Sequence, residues 1–283
     1  MHVLLRRMMQ REPIINTTSL EGTIFVITGG SSGIGAATAA VGAESGAKVV
    51  IGSRNVDRGD EVVREIAAGG GQVIFQRCDV GVEEDVRTLM EAAADTYGGI
   101  DVLVCNAGVT DRALTGESDL EHMDVGDFRR VLDVNLVGPW LCAKYALPYL
   151  KESDNASIVM AGSSASFLGF NGLPAYVSAK AGVSGLTKEL AVELSRYGIR
   201  VNCYCPHTIR TPMVEGLFAK APDPEAAMTK HVKTSLVRRF GTPREVGQLI
   251  CFLASREAAY INGVSIPIDG GTLAWRGTVD QLG

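Results

Sequence analysis

The chain has 283 residues, and its 27 Lys and Arg against 32 Asp and Glu give a formal net charge of −5 with His neutral. A protein that binds nucleic acid usually carries a basic excess, so this balance argues against nucleic acid as the main partner. Hydrophobic residues make up 46% of the chain and charged residues 21%, which excludes disorder over most of the length. Glycine is abundant, with 33 residues, and predicts several tight turns or close backbone approaches.

The cysteines are scattered through the chain, mostly in apolar runs, at Cys78, Cys105, Cys142, Cys203, Cys205 and Cys251. This pattern predicts buried thiols in a reducing compartment, and therefore a cytoplasmic protein without a metal site. No apolar stretch of the sequence reaches the ~18 residues of a membrane span. Residues 1–21, with Arg6 and Arg7 among Leu and Met, are expected to form a poorly ordered extension rather than a cleaved targeting peptide.

From residue 23 onward, short runs rich in β-branched residues alternate with longer helical patterns. The runs cover residues 24–27, 48–51, 72–75, 102–105, 157–160, 201–204 and 264–268. Most are continuously apolar, which is typical of strands covered by helices on both faces of a parallel sheet. With about six helices between them, they predict a doubly wound, Rossmann-type α/β fold in one domain over residues 22–283. Pro267 places the last strand at the sheet edge, because proline cannot donate to the ladder.

A glycine-rich turn follows the first strand, at residues 28–35 (TGGSSGIG), and an alanine-rich helical pattern follows the turn. Glycines at this spacing let the turn tighten, let backbone N–H groups approach a pyrophosphate and let the helix pack on the strand. Because a strand precedes the turn and a helix follows it, a dinucleotide site is favoured over a purely structural turn. The residues predicted to bind the cofactor here are Gly29, Ser31, Ser32, Gly33, Ile34 and Gly35.

The end of the second strand bears on the choice between NAD and NADP. An acid at this position would bind the ribose 2′-hydroxyl of NAD, whereas an Arg accommodates the 2′-phosphate of NADP. The sequence has Ser53 followed by Arg54, which favours NADP, although Arg54 could instead be a solvated loop residue.

Two further segments follow the third and fourth strands. Asp79 and Val80 are placed to contact the adenine, and Asn106, Ala107 and Gly108 the adenosine side. Each segment could instead cap the element that follows it.

The pair Tyr176 and Lys180 stands near the start of a long helical pattern. Their i,i+4 spacing places both side chains on one face, and a nearby ammonium is expected to lower the phenol pKa from ~10. Such a phenol can exchange a proton with an alcohol or a ketone. A packed ring beside a solvated amine would show the same spacing. Ser163, just past the fifth strand, lies at the edge where such sheets bind ligands.

Together these residues resemble the short-chain dehydrogenase/reductase family, in its single-domain branch, over about residues 23–271. The motifs that carry the resemblance are TGGSSGIG (28–35), CNAG (105–108), NLVG (135–138), Ser163, YVSAK (176–180) and IDGG (268–271). The resemblance implies that Tyr176 is the general acid/base, that Ser163 holds the substrate oxygen and that Lys180 binds the nicotinamide ribose. It further implies that Asn135 orders a water that leads protons outward. It also implies that the segment after the sixth strand contacts the nicotinamide through Pro206, His207, Ile209 and Thr211.

The sequence departs from the family pattern at His207, where a glycine is expected after Pro206. If the position requires a positive φ, His is a costly occupant and the loop is strained. In the favoured alternative, the backbone is ordinary and the imidazole projects over the nicotinamide pocket, where it would titrate near its unperturbed pKa of ~6.5.

The expected function is NADP-linked or NAD-linked interconversion of a secondary alcohol and a ketone, with NADP(H) favoured. Residues 164–175 and 213–236 suggest a substrate pocket with apolar walls, or aromatic side chains that simply fill core. The alternatives are an NAD-linked alcohol dehydrogenase and a cofactor-binding relative without turnover. The resemblance implies a homo-oligomer, tetramer or dimer, with a small-molecule substrate and no nucleic-acid or membrane partner.

Overall fold

The computed structural model of the chain describes residues 19–115, 118–219, 222–275 and 277. Seven parallel strands form one sheet in the order β3-β2-β1-β4-β5-β6-β7. Their bounds are β1 Ile24–Thr28, β2 Lys48–Ser53, β3 Gln72–Arg77, β4 Val102–Cys105, β5 Ser157–Ala161, β6 Arg200–Pro206 and β7 Ser265–Ile268. The prediction of a doubly wound seven-stranded sheet is confirmed, with Pro267 on the edge strand.

The described residues contain ten α-helices, of which six pack against the sheet and the others are short helices within connections. The six are α1 Gly33–Glu44, α2 Val56–Ala68, α3 Glu83–Tyr97, α6 Gly138–Leu150, α7 Pro174–Leu194 and α10 Pro243–Ala254. The others are α4 Asp111–Leu114, α5 Val125–Leu132, α8 Pro212–Phe218 and α9 Pro224–Val232, with a π-helical turn at Asp133–Val137 between α5 and α6. Among the described residues, every helix is too short or too polar to cross a membrane.

Two apolar cores lie on the two faces of the sheet, which explains why the strands read as continuous hydrophobic runs. On one face, α3, α6 and α7 pack over residues such as Val26, Leu103 and Ile158. On the other face, α1, α2 and α10 pack over the alternate residues of the same strands, such as Ile27 and Val104. The five inner strands therefore bury both of their faces, whereas the edge strands β3 and β7 are only partly buried.

The N-terminal segment joins this core earlier than the sequence suggested. Leu20 is buried in the second core, and its backbone N–H donates to the Ser45 carbonyl at 2.9 Å. The packed domain therefore includes Leu20, two residues before the predicted boundary at 22. The rest of the predicted extension, residues 1–18, lies outside the described residues.

The strand order reverses direction between β1 and β4, because β2 and β3 follow β1 on one side and β4 to β7 extend on the other. In open parallel sheets, ligands bind at the carboxyl edge at such a switch point. The turn after β1, the turn after β4 and the residues after β5 and β6 all lie at this edge. The fold thus assembles there the segments that the sequence analysis singled out.

Candidate active site

A groove of about 560 Å³ runs along the carboxyl edge of the sheet across the β1/β4 switch point. Most residues predicted to bind the cofactor or to act in catalysis line it. They are Gly29, Ser31, Ser32, Gly33, Ile34, Arg54, Asp79, Val80, Asn106, Ala107, Gly108, Asn135, Tyr176, Lys180, Pro206 and Thr211. Residues distant in sequence thus meet in one cavity.

The glycine-rich turn at the centre of the groove has a shape that only glycines allow. Gly29 and Gly33 have φ of +68° and +53°. A Cβ atom on Gly35 would lie 2.2 Å from the Gly29 carbonyl oxygen, so this glycine lets α1 close onto the turn. Gly35 therefore shapes the groove from behind without lining it.

The N-terminus of α1 opens into the groove and suits an anion. Ser32 is the N-cap residue, its side chain makes no capping hydrogen bond, and the first turn contains no acidic residue. The first backbone N–H groups of a helix lack intrahelical partners and carry the positive end of the helix dipole. A pyrophosphate therefore fits this end of the groove.

The end of β2 presents a cation rather than a carboxylate. The exposed Arg54 side chain lies with its Nη1 atom 3.8 Å from Asp79 Oδ2. Ser53 is buried, and its hydroxyl donates to the Asn55 carbonyl at 3.3 Å. Arg54 is thus a groove-lining cation directly after β2, the strand end where an acid would bind a ribose 2′-hydroxyl.

The side chain of Asn106, which the sequence placed on the adenosine side, makes hydrogen bonds within the protein. Its amide nitrogen donates to the carbonyls of Thr28 and Gly29, at 3.0 and 3.2 Å, and its Oδ1 accepts from the Tyr204 hydroxyl at 2.9 Å. The side chain is therefore occupied in fixing the turn after β1, although the residue lines the groove.

Tyr176, Ser163 and Lys180 meet at the other end of the groove. The Tyr176 phenol and the Ser163 side chain are hydrogen-bonded, and Ser163 lies just behind the groove. The Lys180 ammonium is buried, donates to the Ala161 carbonyl at 2.8 Å and lies 5.5 Å from the centre of the Tyr176 ring. The two side chains therefore face the same space, as the i,i+4 spacing predicts.

The pKa values of this pair differ from the sequence-based expectation. Burial raises the pKa of the Tyr176 phenol, the Ser163 hydrogen bond acts in the opposite direction, and the Asp111 carboxylate raises it further. Burial also lowers the pKa of the Lys180 ammonium to about 8. The expectation of a lowered phenol pKa is therefore wrong, because burial raises that pKa and the Lys180 ammonium, which donates to the Ala161 carbonyl, is not among the groups that offset it.

Asn135 sits in the π-helical turn between α5 and α6 and is fully buried. Its Nδ2 donates to the carbonyls of Val109 and Val131, both at 2.9 Å, and its Oδ1 accepts from the Val109 N–H at 3.3 Å. A Cβ on Gly108 would lie 2.8 Å from this Oδ1 atom. π-Helical turns often mark functional sites, and this one wedges Asn135 against the segment after β4.

Sequence reasoning missed Asp111, which is completely buried at the start of α4. Its carboxylate accepts from the backbone N–H groups of Ala175 and Tyr176, at 2.9 and 3.0 Å. It therefore supplies the N-terminal cap of α7 from 64 residues away, and it fixes the backbone of Tyr176 directly. The residues around Asp111 in the sequence do not indicate that its carboxylate caps a distant helix.

The backbone at His207 is ordinary, since Arg238 is the one non-glycine residue with a positive φ in the described part of the chain. The alternative of a strained loop is therefore wrong. The imidazole does not line the groove but turns away from it, and its Nδ1 lies 2.9 Å from the Ser164 hydroxyl. Burial lowers its pKa to about 4, so the expected titration near 6.5 is also wrong.

Ile209 is the remaining described residue predicted for the site that does not line the groove. Its side chain is buried in the core beside α10, and its backbone pairs with Gly241. Thr211, two residues on, does line the groove and caps α8 with its hydroxyl.

Comparisons with known proteins agree with this geometry. The family model described as enoyl-(acyl carrier protein) reductase matches residues 29–272. Cis-4-hydroxycyclohexanecarboxylate dehydrogenase of Sinomonas cyclohexanicum is 39% identical over 251 residues, covering 89% of this chain and 96% of that protein. The 3-oxoacyl-(acyl-carrier-protein) reductase of Thermotoga maritima is 39% identical over 252 residues, covering 89% and 98%. The crystal structure of levodione reductase superposes with a TM-score of 0.85 at 31% identity, covering 90% of this chain and 99% of that one.

The chain therefore belongs to the short-chain dehydrogenase/reductase family. It is an oxidoreductase that acts on the CH–OH group of small-molecule substrates with a nicotinamide cofactor, NAD or NADP.

Proposed function

We propose that the protein interconverts a secondary alcohol and a ketone with NADP(H), and that Tyr176 is the general acid/base. The observation that carries this proposal is the meeting of Tyr176, Ser163 and Lys180 at one end of the groove whose other end offers a free helix N-terminus. A non-catalytic cofactor-binding relative would have no chemical need for all three side chains.

In this mechanism a nicotinamide held in the groove would supply or take up the hydride. The Tyr176 hydroxyl donates a proton to the ketone oxygen during reduction and removes it from the alcohol during oxidation. Ser163, hydrogen-bonded to that hydroxyl, holds the substrate oxygen beside it. Lys180 binds the nicotinamide ribose, and Asn135 orders the water through which protons leave.

The raised pKa of Tyr176 favours the protonated phenol at neutral pH, which suits reduction. Lys180, with a pKa of about 8, is mostly charged at pH 7 and loses its charge as the pH rises above 8. We therefore expect reduction to dominate near neutral pH, with oxidation favoured as the pH rises and the phenolate becomes accessible.

The substrate side favours a ligand with an apolar part. Phe167 and Leu168, shortly after Ser163, and Met213 at the groove are large apolar side chains exposed at this end. The name of one relative specifies a hydroxylated cyclohexane ring. We propose a secondary alcohol or ketone on a six-membered ring as the substrate class, to be tested by a ketone panel with both cofactors.

The Tyr176→Phe variant tests the mechanism. It removes the transferable proton and keeps the ring, so kcat should fall by roughly 10²- to 10⁴-fold while cofactor binding, followed by fluorescence titration, stays near wild type. Tyr260→Phe is the matched control, because Tyr260 is fully exposed. Turnover of Tyr176→Phe within a few-fold of wild type would rule out the proposed role.

Arg54 carries the proposed preference for NADP(H). A hydrogen bond to a charged group contributes about 1.5 to 3 kcal/mol, so Arg54→Ala should lose roughly 10- to 100-fold in NADP affinity and little in NAD affinity. Arg58→Ala, an exposed arginine of α2 outside the groove, is the control. Equal losses for both cofactors would refute the role of Arg54 in the preference for NADP(H).

We further propose a homo-oligomer, tetramer or dimer, in the cytoplasm. Val137 and Trp140 near the start of α6 and Val192 on α7 are exposed apolar side chains, with Val192 77% exposed. All six cysteines are free and buried, which fits a reducing compartment. Light scattering that gave a monomer would contradict the assembly.

A further inference from the structure

Four aromatic rings form a stacked column beside the Tyr176 end of the groove, in the order Phe170, His207, His231 and Phe240. Successive ring centres lie 6.3, 5.1 and 6.5 Å apart, with interplanar angles of 27°, 17° and 14°. Offset stacking at these separations is attractive beyond the burial of apolar area. We refer to these residues as the ring column.

The ring column joins four separate segments that surround the Tyr176 end of the groove. Phe170 lies on the loop between Ser163 and Tyr176, and His207 follows β6 directly. His231 is in the last turn of α9, and Phe240 lies in the segment before α10. Phe218, the last residue of α8, packs edge-on against His231 and Phe240, at 5.3 and 6.1 Å. Both segments that the sequence suggested for substrate binding are thus attached to one column.

His207 occupies the position where the column meets the candidate catalytic residues. Its Nδ1 lies at hydrogen-bond distance from the Ser164 hydroxyl, and Ser164 is buried next to Ser163. Its backbone N–H donates to the Ile268 carbonyl at 3.3 Å, which attaches the base of the side chain to β7. The ring therefore connects the serine turn Ser164–Ser166 on one side to α9 on the other.

A hydrogen bond also holds the column on the side of α9. His231 Nε2 is hydrogen-bonded to the hydroxyl of Thr208, the residue after His207. A glycine at position 207 would remove the two stacking contacts that His207 makes, with Phe170 and His231, together with the Ser164 contact. It would leave His231 of α9 in contact with Phe218, Phe240 and the Thr208 hydroxyl.

We infer that His207 is a specificity-determining residue that clamps α9 against the serine turn and so limits the size of the substrate that the site accepts. This inference rests on the proposed function for the location of the substrate. The stabilisation of α9 by His207 is a property of the chain without substrate, and it can be measured without turnover.

Three variants separate the parts of the clamp. His207→Gly removes the ring and the hydrogen bond. His207→Phe keeps the stacking and loses the Ser164 contact. It breaks no other hydrogen bond of the ring, because His207 Nε2 has no hydrogen-bond partner among the described residues. His207→Asn keeps a polar atom near Ser164 and loses the ring. His122→Ala is the control, because this exposed histidine pairs with Asp119 and with none of the column rings.

The first measurement is amide hydrogen exchange of α9, residues 224–232, in the chain without substrate. Loss of two stacking contacts should speed exchange by about tenfold in His207→Gly and His207→Asn, whereas His207→Phe should stay close to wild type. Equal protection of α9 in wild type and His207→Gly would overturn the clamp, whatever the activity. Melting temperatures identify a variant that fails to fold, and the remaining variants then decide.

The second measurement compares kcat/KM for cyclohexanone and for the larger bicyclic ketone 2-decalone. The ratio of decalone to cyclohexanone should rise about fivefold or more in His207→Gly, mainly through KM, and should stay unchanged in His207→Phe. An unchanged ratio in His207→Gly would overturn the role in specificity. If neither ketone is turned over by wild type, the proposed substrate class fails, while the exchange experiment still decides the clamp.

Discussion

The cofactor side and the substrate side of the groove are built in different ways. On the cofactor side, neighbouring atoms approach the turn glycines so closely that a side chain there is excluded. A Cβ on Gly30 would lie 2.5 Å from Ile51 Cβ, and one on Gly35 would lie 2.2 Å from the Gly29 oxygen. On the substrate side, side chains set the shape, through the ring column and the hydrogen bond of His207 to Ser164. The first side can accept almost no added volume, whereas the second can change its shape by exchanging side chains.

Gly35→Ala should give the largest effect, because the added methyl group would have to displace the Gly29 carbonyl at the centre of the turn. We expect cofactor binding to fall below detection in calorimetry, with a clear loss of thermal stability. A cofactor affinity within about threefold of wild type would contradict the idea that close backbone contact defines this side.

Gly185→Ala is the matched control for that experiment. Gly185 is also a helical glycine, in α7, but a Cβ there meets no atom within 4 Å. Replacing a helix-interior glycine by alanine should stabilise the fold by up to about 1 kcal/mol and leave cofactor binding unchanged. The contrast between the two variants isolates the effect of crowding from that of helix propensity.

Lys180→Met should remove turnover and stabilise the fold, by up to about 3 kcal/mol at pH 7, because burial lowers the pKa of this ammonium from 10.5 to about 8. The unfolded chain binds more protons than the folded chain between those two pKa values, so wild-type stability rises with pH there. The advantage of the variant should therefore be largest below pH 8 and shrink toward pH 10.5. Denaturant unfolding across this range measures it, and a constant difference would contradict the cause.

Asp111→Ala should destabilise the fold by about 1 to 3 kcal/mol, because two buried N–H groups of α7 lose their acceptor. It should also lower kcat more than it changes cofactor affinity, since Tyr176 is displaced. Asp111→Asn separates the two effects, because it keeps one accepting oxygen and removes the charge that raises the Tyr176 pKa. The oxidation rate of Asp111→Asn should therefore reach its plateau at a lower pH than that of wild type.

The sequence predicts the framework well, because the strands and the glycine-rich turn are local patterns. The apolar runs give the seven strands, and Gly198 ends the segment after α7 in the left-handed conformation expected of a helix C-cap. The meeting of Tyr176 and Lys180 also follows from local spacing. Neither inference needs knowledge of a distant residue.

The remaining features depend on contacts between distant segments, and the sequence did not reveal them. Asp111 reaches α7 only in the folded chain, so its carboxylate has no partner visible in its own segment. The direction of the Tyr176 pKa shift depends on burial, which an i,i+4 spacing does not report. For His207 the sequence allowed two conformations, and the observed one depends on Phe170 and His231, which lie 37 residues before it and 24 after it.

Asn106, which follows β4, connects the end of β1 to β6. Its side-chain nitrogen donates to the carbonyls of Thr28 and Gly29, and its Oδ1 accepts from the Tyr204 hydroxyl. The order of the glycine-rich turn is therefore tied, through Asn106, to Tyr204, which lies 98 residues from Asn106 and lines the same groove. A change at Tyr204 would loosen a turn on the far side of β4 without altering any residue in it. A substitution at position 106 should therefore be tolerated only with a matching change at position 204. Substitution of the buried Tyr204 also offers a second way to alter cofactor affinity at the turn.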